Sequence, residues 1–84
     1  MFYVYILKSY KTRELYIGFT GDLRRRFLSH NSVESKNFST KAGRPWELVY
    51  YEAYSIKRYA EERERKLKYY GKGLTMLKKR IGID

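Results

Sequence analysis

The sequence predicts an α+β fold in which one small β-sheet carries helices against it. Three observations lead there. Phe2–Leu7 and Leu15–Phe19 are β-branched and aromatic runs separated by a short polar stretch, the pattern of a hairpin. Trp46–Tyr54 is a third run of residues suited to a pleated surface. After Asp22 and after Ser55, apolar residues return at spacings of three and four, as on a helix. The 84 residues make one domain over 1–84, burying about 60–65% of the unfolded surface, enough for one sheet and its helices.

In the hairpin, Ser9, Tyr10, Lys11 and Thr12 form the expected loop, with Lys8 facing Arg13 and Tyr5 opposite Tyr16. Side chains alternate along a strand, so this register has a testable consequence. Phe2, Val4 and Ile6 with Leu15, Ile17 and Phe19 make one wholly apolar face. Tyr3, Tyr5 and Leu7 with Glu14, Tyr16 and Gly18 make a tyrosine face.

Gly21 ends the second strand, and Asp22 is an N-cap for a helix reaching about His30. Leu23, Phe27 and Leu28 supply its apolar side. Arg26 and His30, four apart, share another side, while Arg24 and Arg25 read as solvated charges. The polar stretch from Asn31 to Arg44 reads as a long basic loop anchored by Val33 and Phe38. Lys36, Lys41 and Arg44 there are placed to track phosphates. Pro45 precedes the third strand.

Ser55 is the N-cap candidate of a helix running to about Tyr70, with Ile56, Tyr59, Ala60, Arg63 and Leu67 along its buried stripe. Glu64 falls on the flank of that stripe. Glu61 and Glu62 read as exposed partners of Arg65 and Lys66. Gly71 and Gly73 are expected to break this helix before a last amphipathic helix carrying Leu74, Met76, Leu77 and Ile81.

Nineteen Lys and Arg against nine Asp and Glu leave a net charge of +10. Such a surface favours polyanions through counterion release, and ten Tyr add aromatic faces on which bases stack. The absence of Cys excludes a disulfide framework and a thiolate metal site, and fits a reducing cytoplasm. The N-terminal apolar run stops at Lys8, too short for a signal peptide or a membrane span. No Gly-rich phosphate loop, zinc-spacing cluster or Ser-His-Asp arrangement is present.

The residues that remain resemble a GIY-YIG nuclease domain, in the form of its small single-domain bacterial members. Tyr3-Val4-Tyr5 stands at the first motif, and Tyr16-Ile17-Gly18 is the second verbatim. Asp22-Leu23-Arg24-Arg25-Arg26 with His30-Asn31 is similar to the helix carrying the family's Arg and His. Arg44-Pro45-Trp46-Glu47-Leu48-Val49-Tyr50 resembles its third strand, and Arg63-Glu64 with Leu67-Lys68 its metal-binding segment. The one departure is Tyr3, where the family's motif has Gly.

The resemblance implies an α/β sandwich, a three-stranded antiparallel sheet flanked by about three helices, and metal-dependent hydrolysis of DNA phosphodiesters, at structured or damaged sites. Glu64 would bind one divalent cation, Mg²⁺ or Mn²⁺. Arg26 would hold the scissile phosphate, and Tyr16 or Tyr5 would activate or position water, with Tyr16 preferred. His30 would assist, and Gly18 would allow close approach. Arg63 and Lys68 join Lys36, Lys41 and Arg44 as expected nucleic-acid contacts. DNA is the first partner, RNA the alternative, with a protein partner supplying specificity.

Mg²⁺ commonly uses one or two carboxylates with water and substrate phosphate. No second acid is placed beside Glu64 by spacing, so one ion is favoured over a two-metal clamp. A phenol titrates at about 10, and Arg26, a cation and the positive field all favour phenolate. A second reading is a nucleic-acid-binding module with this fold and little or no catalysis. A third is structural, with Tyr5 and Tyr16 as a cross-strand aromatic pair worth about 0.2–1 kcal/mol.

Overall fold

The structure, a computed structural model, describes residues 1–32, 42–69 and 71–83. Its elements are β1 (Phe2–Ser9), β2 (Leu15–Thr20), α1 (Leu23–Asn31), β3 (Trp46–Tyr54), α2 (Lys57–Tyr69) and α3 (Gly71–Ile81). The sheet order is β2-β1-β3 with both pairings antiparallel, so β1 is the central strand. This is the α+β architecture expected, with three helices among the described residues. None of these helices is long and apolar enough to cross a membrane. Lys36 and Lys41, with Val33 and Phe38, lie outside the described residues.

The hairpin register differs from the expected one by two residues. Tyr5 pairs with Gly18 and Tyr16 with Leu7, rather than Tyr5 with Tyr16. The cause is a longer loop. Ser9 belongs to β1, and its backbone N–H donates to the Glu14 carbonyl at 2.9 Å. The Ser9 hydroxyl accepts from the N–H groups of Lys11 at 3.1 Å and Thr12 at 2.9 Å, folding the chain back over five residues. Arg13 completes the turn at φ 67°, a left-handed conformation uncommon for a residue with a Cβ. A two-residue shift preserves alternation, so both faces keep the residues expected of them.

On the apolar face, Val4, Ile6 and Ile17 pack with Ala60 and Leu67 of α2 and Leu77 of α3. On the tyrosine face, Tyr5, Leu7 and Trp46 pack beneath Leu23 and Phe27 of α1. The sheet is therefore covered on both sides. The stripe of α2 is narrower than expected: Ala60 and Leu67 are buried, whereas Ile56 and Tyr59 are exposed. Leu28 and Met76, also expected to pack, are exposed. α2 ends at Tyr69, ahead of Gly71, as expected, and Gly71 and Gly73 themselves form the first turn of α3. The packing of Leu74, Leu77 and Ile81 on the core overrides their poor propensity.

Arg63 is tied to the sheet rather than to solvent. Its guanidinium donates to both carboxylate oxygens of Glu52 on β3, with three contacts of 3.0–3.2 Å. The Tyr50 and Tyr54 hydroxyls donate to the same carboxylate at 2.6 and 2.5 Å. Burial opposes ionisation of Glu52, but the hydrogen bonds from Arg63, Tyr50 and Tyr54 outweigh it and hold the carboxyl below its ordinary 4.5. A depressed carboxyl stabilises the fold above that value and loses its contribution as pH falls through the folded-state value. Glu52→Ala is expected to cost about 2 kcal/mol, below the 3–5 of a fully buried pair because Arg63 is partly exposed. Urea unfolding checks the loss, and Glu52→Gln should flatten the stability curve below about pH 4.5.

Candidate active site

Tyr5 occupies the centre of β1 with no exposed surface. Its ring lies over Gly18, where an added Cβ would overlap Cζ and Oη of the phenol. Only glycine leaves the Tyr5 ring room at this position. The Tyr5 oxygen lies 2.7 Å from His30 Nε2. The Arg26 guanidinium lies near enough for its charge to act on both Tyr5 and Tyr16.

α1 delivers these two groups. Asp22 caps it, Oδ1 accepting from the Arg25 N–H at 3.1 Å. Leu23 and Phe27 then seat it on the tyrosine face, and the helical period brings Arg26 and His30 to one side. Burial, and secondarily the charge of Arg26, push His30 down to about 4. The unfolded chain, with an ordinary value of 6.5, then binds the proton more readily than the fold. Stability is expected to fall by about 3 kcal/mol as pH drops from 6.5 towards 4. Chemical denaturation across that range checks it, and His30→Gln should remove most of the slope.

Tyr16, half-buried, completes the aromatic cluster. Its ring centroid is 4.9 Å from that of His30 and 6.3 Å from those of Tyr5 and Trp46. Glu64 reaches the same place from α2. Its carboxylate accepts from Lys68 Nζ at 3.2 Å, and Lys68 Nζ stands 6.0 Å from the Tyr16 ring. The Glu64 charge is also felt at Tyr5. Tyr5, Tyr16, Arg26, His30 and Glu64 are thus brought together from β1, β2, α1 and α2.

The two tyrosines are not equivalent. Burial pushes Tyr5 up to about 12; Arg26 opposes the rise, while Tyr16 and Glu64 add to it. Arg26 does pull Tyr5 towards phenolate, as expected, but the loss of water outweighs that one cation. Of the two, Tyr16 is the tyrosine that solvent reaches.

Of the expected nucleic-acid contacts, Arg44 donates to the Ser32 carbonyl at 2.7 Å, and Arg63 is held by Glu52 on the apolar face. Lys68 stands in the site itself, beside Glu64. Among the described residues no group of three or more His, Cys, Asp or Glu stands ready for a metal. The oxygen donor at the site is the Glu64 carboxylate, 25% exposed and currently shared with Lys68. One carboxylate fits a Mg²⁺ ion that draws its other ligands from water and phosphate.

Two supporting residues escaped the sequence reading. The Asn31 amide donates to the Trp46 carbonyl at 3.0 Å and accepts from its N–H at 2.6 Å, pinning the end of α1 beside His30. The Ser9 hydroxyl donates to the Gly43 carbonyl at 2.5 Å, joining the hairpin loop to the segment before β3. Asn31 adjoins His30 and has both donor and acceptor, which is the one signal that pointed to it.

The sequence profile described as the GIY-YIG catalytic domain matches residues 1–72. YazA, a UPF0213 protein of Bacillus subtilis, is 38% identical over 82 residues, 98% of this chain and 77% of that one. The UPF0213 protein of Clostridium perfringens is 43% identical over 75 residues, covering 89% and 74%. That of Bacillus pumilus is 41% identical over 66 residues, covering 79% and 65%, so the match spans just under two thirds of its length. No solved structure matches the chain.

Proposed function

We propose that this chain, which belongs to the GIY-YIG catalytic-domain family, hydrolyses phosphodiester bonds in DNA with the help of one divalent cation. The observation that carries this reading is the meeting of Tyr5, Tyr16, Arg26, His30 and Glu64 at one place. Arg26 holds the scissile phosphate and offsets the charge that builds on it. Tyr16 positions the attacking water and accepts its proton as the phenol's own proton passes to solvent. Tyr5, kept protonated by burial, holds His30 through a hydrogen bond and lies within reach of the Arg26 charge. His30 is neutral at physiological pH and assists in proton transfer. Glu64 would hold Mg²⁺ or Mn²⁺, which would supply Lewis acidity at the phosphate.

The chain acts as a single domain over residues 1–84 in the cytoplasm. Its substrate is a structured or damaged DNA, and a protein partner supplies site choice. The Glu64–Lys68 ion pair, which engages the one candidate metal ligand, favours a second reading as a nucleic-acid-binding module of low activity.

Incubation with supercoiled, branched and single-stranded DNA and with RNA, with Mg²⁺ or Mn²⁺, tests the proposal. Ion-dependent cleavage of DNA, strongest on branched substrates, is the expected result. Tight, salt-sensitive binding with no cleavage of any substrate would give the module reading the case.

A further inference from the structure

The roles above leave one aromatic cleft unused. Tyr3 and Tyr51 meet across β1 and β3 with ring centroids 6.1 Å apart and planes at 62°. Both lie on the face of Tyr5, since Tyr51 is its cross-strand partner and Tyr3 is two residues before it. Tyr51 is 53% exposed and belongs to neither core cluster. Tyr3, Gly21, Asp22, Leu23, Arg24 and Tyr51 line an open cleft there. The Asp22 carboxylate is committed to capping α1, which leaves the exposed Arg24 as the cation at the rim. A second groove, containing Arg25 and Arg26, shares Gly21 and Asp22 with this cleft. The surface therefore continues around the start of α1 from Tyr51 to the phosphate-holding Arg26.

We propose that the Tyr3–Tyr51 cleft stacks an unpaired nucleobase of the strand whose phosphate Arg26 holds; this rests on the nuclease reading. A nucleobase offers an aromatic face to Tyr51 and carries a phosphate towards Arg24 and Arg25, in keeping with the net charge of +10. A base inside a duplex has both faces covered by its neighbours and cannot enter. The cleft therefore selects single-stranded, flap or frayed substrate. Tyr3 stands where the family motif has Gly, so one wall of the cleft is a feature of this chain.

The test is binding in EDTA of a single-stranded oligonucleotide carrying 2-aminopurine, beside the same sequence as a duplex. The wild type is expected to quench 2-aminopurine emission in the single strand. Tyr51→Ala should weaken single-strand binding about tenfold and abolish the quenching, with duplex binding unchanged. Tyr51→Phe, which keeps the ring, should behave as wild type. Wild-type single-strand affinity in Tyr51→Ala, or an equal loss for both forms, overturns the cleft while leaving the nuclease reading intact. A wild-type protein that binds neither form removes both.

Discussion

Tyr16→Phe is expected to slow DNA cleavage by about a hundred- to ten-thousand-fold, the range for removing a group that moves a proton in the transition state. The midpoint of urea unfolding should stay near that of wild type, because the half-buried Tyr16 ring is kept and only its hydroxyl is lost. Tyr5→Phe should behave differently. Its oxygen is buried and bonded to His30, so its loss should cost about 1–3 kcal/mol of stability as well as rate. Single-turnover cleavage and urea unfolding of both variants separate the two roles. Wild-type cleavage by Tyr16→Phe would move the water-activating role to another group.

Gly18→Ala is expected to damage fold and site together. The new methyl would occupy the space of the Tyr5 Cζ and Oη. The ring has nowhere to go, being fully buried beneath α1 and bonded to His30. Overpacking of this kind costs about 1–3 kcal/mol, and any movement that relieves it takes the Tyr5 hydroxyl away from His30 and Arg26. Unfolding midpoint and cleavage rate should fall together. Gly21→Ala is the control: a Cβ there meets nothing within 4 Å, and stability should hold. A Gly18→Ala protein as stable and active as wild type would show that the Tyr5 ring is not confined by β2.

The contrast between these two glycines marks what a sequence can and cannot tell. β3 was legible to its ends, Trp46 and Tyr54, because Trp46, Val49, Tyr50, Tyr51 and Tyr54 dominate the stretch between Pro45 and Ser55. The two faces of the hairpin were legible because alternation distinguishes core from tyrosine face. Alternation fixes only the parity of a register, however. The two-residue shift that sets Gly18 rather than Tyr16 against Tyr5 comes from the Ser9 hydroxyl turning the loop.

Helical spacing likewise brought Arg26 and His30 to one side of α1, and placed Glu64 on the flank of α2. It could not reveal that Arg63 reaches across to Glu52, since that contact joins residues eleven apart on different elements. The elevation of Tyr5 to about 12 was also hidden. It depends on complete burial under α1, which is a property of packing. Motif order gathered the site residues into one list, while the difference between its buried and accessible tyrosines emerged only in three dimensions.

The decisive measurement is nicking of supercoiled DNA with and without Mg²⁺ by wild type and by Glu64→Ala purified in parallel. Wild-type nicking should require the ion. Glu64→Ala should lose it by about a thousand-fold, on the order of the several kcal/mol that a bound cation lends to a phosphoryl transition state. Ion-dependent nicking that survives Glu64→Ala undiminished would contradict a phosphodiesterase site built from Tyr5, Tyr16, Arg26, His30 and Glu64.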